Sequence, residues 1–75
     1  MAIAGFLLLR TKVASAVECG LKCGQRRACA SFAVEYSEGP GSKLCELNTV
    51  TAKSHPQSVV RKIGFQYYDE AEVFY

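Results

Sequence analysis

Apolar side chains recur along this chain with two different periods. Residues 3–12 form an apolar run that turns basic, with no helix cap ahead of it, and residues 3–10 read as a first strand. From Ser15 the spacing changes. Ala16, Cys19, Gly20 and Cys23 fall on one face of a helix, with Glu18, Lys22 and Gln25 opposite. Ser15-Ala16-Val17-Glu18 is a capping box: the Ser15 hydroxyl can accept from the Glu18 amide while the Glu18 carboxylate reaches back. The helix is predicted over residues 16–25, stopped by Gly24 and the polar Gln25-Arg26-Arg27. Period two then takes over. Ala30, Phe32, Val34 and Tyr36 alternate with Ser31, Ala33 and Glu35, which predicts a second strand with one apolar face. Residues 37–42 are a loop by their Ser, Gly and Pro content. Residues 43–49 predict a third strand, hairpinned to the second, so that Phe32 and Leu47 are core residues beneath the helix on neighbouring strands. Residues 51–58 are polar, hold Pro56 and read as a surface loop. Val59-Val60 is a short strand, residues 65–69 a last one, and Val73-Phe74-Tyr75 an apolar tail that is either one more edge strand or a subunit contact. Strand, helix and several antiparallel strands make a small α+β fold with one helix packed on a sheet.

At 75 residues the chain is expected to form a single domain over residues 1–75. A fold of this size buries only about 60% of the surface exposed by its unfolded chain, so its core needs help from disulfides, a metal or oligomerisation. Four cysteines, Cys19, Cys23, Cys29 and Cys45, read first as a disulfide framework, which requires an oxidising compartment. Zinc is the rival reading. It prefers close cysteine pairs, whereas Cys29 and Cys45 lie on separate strand-like runs and the single histidine, His55, stands in a loop. Sequence alone leaves three connectivities open for four cysteines.

The net charge of +2 is mild, and no run of five or six like charges occurs, so nucleic acid is not an expected partner. No apolar run approaches the roughly 18 residues of a membrane span. Residues 1–9 resemble the apolar core of a signal peptide and Ala14-Ser15-Ala16 its cleavage site. Against that, Arg10, Thr11 and Lys12 separate the two, no positive side chain precedes the run, and cleavage would cut into the helix start; hence the strand reading.

The order of these features resembles the PAN/apple family. The residues that carry the likeness are Ser15-x2-Glu18-Cys19-x3-Cys23, Cys29-x-Ser31-Phe32, Leu44-Cys45-x-Leu47 and Phe65-x-Tyr67-Tyr68, roughly residues 6–69. The resemblance implies a curved antiparallel sheet cradling one helix, with two disulfides tying the helix to the central strands. It pairs Cys19 with Cys45 and Cys23 with Cys29. It also implies a secreted or extracellular-surface setting and no catalysis. Apple variants carry one more bridge between their terminal strands. No cysteine stands near either end here, so this is the four-cysteine PAN form, whose terminal strands rely on hydrogen bonds and on Phe6, Leu8, Phe65 and Tyr67.

No catalytic constellation is visible. A cysteine nucleophile needs a free thiol and an adjacent base, and Asp69, Glu70 and Glu72 have no apolar pocket to separate their roles. No cofactor is expected. The chemistry that remains is recognition. Lys22, Arg26 and Arg27 cluster at the helix end and can hold an acidic partner or a sulfated glycan. Tyr67 and Tyr68 point to opposite faces of a strand, one ring core and one outside, and Tyr68 joins the basic residues as a candidate ligand contact. The favoured reading is an extracellular recognition or adhesion module that contacts proteins. The alternatives are a sulfated-glycan-binding module and a structural subunit that self-assembles through its apolar ends.

Overall fold

The computed structural model describes residues 1–36, 39 and 41–69. Its elements are β1 (Ala2–Ile3), β2 (Leu7–Val13), α1 (Ala16–Gly24), β3 (Ser31–Glu35), β4 (Lys43–Asn48), β5 (Val59–Val60) and β6 (Phe65–Asp69), with a 3-10 turn at Pro56–Ser58 before β5. The predicted first strand is in fact two. Gly5 takes φ +87°, a left-handed conformation that a strand does not tolerate but glycine does. The chain turns there, β1 pairs antiparallel with β5, and β2 enters a different sheet.

That main sheet has the order β2-β4-β3-β6, with every neighbouring pair antiparallel. The hairpin expected between the second and third strands is β3–β4, with Phe32 directly opposite Leu47. The helix covers one face of this sheet. Its buried residues are Cys19, Gly20 and Cys23, the face that the sequence spacing predicted. The two cysteines meet Val13, Cys29, Phe32, Val34, Cys45 and Leu47 in one apolar cluster. Cys19 bonds Cys45 and Cys23 bonds Cys29, the pairing implied by the family resemblance, so the helix is stapled to β4 and to the chain entering β3. With no free cysteine remaining, zinc has no thiolate to bind.

The second strand departs from the one-faced pattern. Ser31 and Ala33 are as fully buried as Phe32 and Val34, whereas Tyr36 is exposed. The reason is the polar stretch 49–62, which folds back over the other face of the sheet. The Ser31 hydroxyl donates to the Val50 carbonyl at 2.6 Å and accepts from Asn48 Nδ2 at 3.4 Å. The Ala52 amide donates to the Tyr67 hydroxyl at 2.8 Å. The same face buries Glu46, whose carboxylate is held by Arg10 at 3.0 Å and by Lys62 at 2.9 Å. The outermost strands, β2 and β6, form opposite edges of the sheet. The expected apolar tail at residues 73–75 lies outside the described residues.

Candidate functional site

The helix end predicted to bind is built by local rules. Ser15 has extended backbone and accepts from the Glu18 amide at 3.3 Å. The Glu18 carboxylate reaches one residue further back than the ideal box, accepting from the Ala14 amide at 2.6 Å. At the other end the Gln25 and Arg26 amides donate to the Leu21 and Cys23 carbonyls, both at 3.1 Å, and the Cys29 amide donates to the Arg26 carbonyl at 3.1 Å. The Cys23–Cys29 bond closes this turn covalently. Gln25, Arg26, Arg27 and Ala28 therefore stand exposed on a ring that has little freedom left. Lys22, half-buried, is in the last turn of the helix just before them. Among the described residues the ion pairs are made by Arg10, Lys62 and Glu46, away from this turn.

Tyr68 has a different environment. Its ring stacks on Phe32 with centroids 5.2 Å apart and packs against the helix-side cluster, while its hydroxyl donates to Gln66 at 2.7 Å. The expectation of one core and one outward ring is not met. Tyr67 and Tyr68 are both half-buried, on opposite faces, because the 49–62 stretch covers the face that Tyr67 occupies. The Tyr67 hydroxyl also donates to the Asp69 carboxylate. Burial, and then Asp69, push its phenol above the ordinary 10.0 of a tyrosine.

A second surface was not legible beforehand. Ile63 is 90% exposed at the tip of the turn before β6, where Gly64 at φ +86° lets the chain reverse. Tyr36, 58% exposed, is bound to that turn, its amide donating to the Gly64 carbonyl at 2.6 Å. The Met1 nitrogen donates to the Lys62 and Phe65 carbonyls at 3.3 and 3.1 Å, bracketing the turn from the other side. Val60 and Met1 are exposed nearby and line a dimple of about 310 Å³ with Val59 and Arg61. The helix hides a third feature. Its outward line carries Val17 and Leu21, both exposed, where polar residues were expected. The one sequence signal was their i, i+4 spacing opposite the cysteines.

Several other polar groups are bound to one another. His55 faces the Phe6 ring with centroids 4.8 Å apart, and its Nδ1 lies 3.0 Å from the Ser54 hydroxyl. Glu46 is neutralised by two cations, and Asp69 is taken by Tyr67. A cleft of about 590 Å³ between β2 and the helix start is lined by Lys12, Val13, Ala14, Glu18, Gly41 and Ser42, with the Glu18 carboxylate already capping the helix. No helix among the described residues is long and apolar enough to cross a membrane. What this arrangement can do chemically is present side chains on a stapled frame. In comparisons with known proteins, a family model described as PAN domain matches residues 3–72. No curated protein and no solved structure matches the chain.

Proposed function

The chain belongs to the PAN domain family, whose members are binding modules for proteins or carbohydrates, and from that premise we propose that it is a non-catalytic, extracellular recognition module whose partners are proteins. The observation that carries this reading is Ile63. A large aliphatic side chain held 90% in water, on a turn fixed by Gly64 and tied to exposed Tyr36, costs solubility and contributes nothing to the core. Such pre-ordered apolar and aromatic anchors are what protein interfaces bury at their centre. The two disulfides support the extracellular setting, since they persist in oxidising compartments. A photo-crosslinking residue at position 63 tests it. In the extracellular medium or surface fraction of the source cells it should give a discrete protein adduct. The same residue at Lys53, exposed in the stretch that covers the sheet, should give none. Equal labelling from both positions, or none from either, ends the protein-contact reading for this surface.

A second reading is favoured by one observation, the covalently closed turn that displays Arg26 and Arg27. With Lys22 these cations would hold a sulfated glycan, the half-buried Tyr68 ring being the remaining candidate contact. Charge reversal of Arg26 and Arg27 together should then abolish retention on heparin at low salt, and wild-type retention should fall as salt screens it.

A further inference from the structure

We infer that the outward side of α1, continued by the Cys23–Cys29 turn, docks an acidic amphipathic segment of a partner protein. The inference rests on the binding-module reading but concerns a different surface from the one around Ile63. A helix lying on a sheet is expected to be polar on its outward side. Here that side carries Val17 and Leu21, 64% and 49% exposed and one turn apart. They form an apolar stripe about one helical pitch long, the spacing at which a facing helix presents its own i and i+4 side chains. Directly beyond the stripe the chain displays Lys22, Arg26 and Arg27. The complement of this order is an apolar pair followed by carboxylates.

Charge complementarity decides between occupants. A sulfated glycan would use the three cations and leave Val17 and Leu21 idle. A purely apolar partner would leave the cations facing uncompensated. An acidic amphipathic segment engages all five residues. The Glu18 carboxylate, the one negative group on this stretch of helix, is bound to the Ala14 amide at the opposite end from the basic turn. The frame is also fixed in advance. Cys19 and Cys23 anchor the helix from beneath and Cys29 closes the turn, so little ordering remains to be done on binding.

The test is a titration of the isotope-labelled full chain followed by amide chemical shifts. The probes are a synthetic helical peptide with leucines at i and i+4 followed by glutamates, the same peptide with glutamines for the glutamates, and a heparin hexasaccharide. The acidic peptide should move the amides of Val17, Leu21, Arg26 and Arg27. Its affinity should fall about tenfold or more in Leu21→Asp, in Arg26→Glu/Arg27→Glu and on the change to glutamine, and should weaken with salt. All the substituted side chains reach solvent, so the variants should keep the wild-type spectrum elsewhere; Leu21→Gln serves if Leu21→Asp does not. Heparin moving Arg26 and Arg27 while Leu21→Asp changes nothing would assign the turn to a glycan and overturn the proposal. So would an acidic peptide that leaves these amides unmoved at millimolar concentration, or shifts confined to Tyr36 and Ile63. A failed crosslink at position 63 bears on the other surface alone.

Discussion

Phe32 shows how much one side chain decides in a fold this small. It is 1% exposed, sits opposite Leu47 across the hairpin and supports the Tyr68 ring by stacking. Phe32→Ala removes a buried ring and leaves a cavity in its place. It should cost about 3–5 kcal/mol in urea denaturation; a loss under about 1 kcal/mol would mean that the ring does not bear on the core. Tyr67 acts on the opposite face, as the lock between β6 and the covering stretch. Its phenol is raised above 10.0 by burial first and by Asp69 second. A raised value means that the folded state favours the neutral hydroxyl. Its contribution is therefore complete below pH 10 and is lost as pH climbs through the folded value. Tyr67→Phe should be less stable than wild type by about 1 kcal/mol at neutral pH, the worth of one net hydrogen bond. The gap should narrow in denaturation curves taken above pH 10. A gap that widens there would contradict the direction of the shift.

At the scale of elements, the helix was the most legible. Its start, its buried face and its end all follow from local chemistry, because a capping serine, a 3.6-residue spacing and a terminal glycine act within a few residues of one another. Ser15→Ala should accordingly lower stability by about 0.5–2 kcal/mol, read from thermal or urea melts. The hairpin was legible for the same reason. What the pattern could not convey was long-range cover. Nothing local to Ser31 and Ala33 says that residues 49–62, polar and interrupted by Pro56, return to bury them. Nothing local to the apolar run at residues 3–12 says that Gly5 divides it between two sheets. The exposed position of Arg26 and Arg27 is legible, because charges that follow a helix stay near its end. The exposure of Ile63 is not legible, because a single isoleucine between a lysine and a glycine carries no period. The stacking of Tyr68 on Phe32 is not readable from sequence, because the two rings meet across strands that are remote in the chain.

For the whole molecule, the two disulfides are unequal. Cys23–Cys29 spans 6 residues and Cys19–Cys45 spans 26. On chain-entropy grounds the first contributes about 2 kcal/mol and the second about 3.5 kcal/mol. Replacing Cys19 and Cys45 by alanine should therefore lower the urea midpoint more than replacing Cys23 and Cys29, and a reversed order would show that native strain outweighs loop closure. The longer bridge has a mechanical meaning as well. Tension applied at Ala2 and Asp69 enters through β2 and β6, the two edges of the sheet, and then passes from helix to β4 through sulfur rather than through the backbone between them. The enclosed stretch, about 90 Å if drawn straight, is taken out of the load path. It holds the basic turn and Leu21, whereas Ile63 lies outside it. In single-molecule pulling, adding a reductant should lengthen the unfolding step by about that 90 Å. Without reductant, the segment holding Arg26 and Arg27 stays looped, however far the rest of the chain, Ile63 included, is drawn out. The disulfide thus divides the chain into a part that stretches under load and a part that stays coiled until its sulfur bond is reduced.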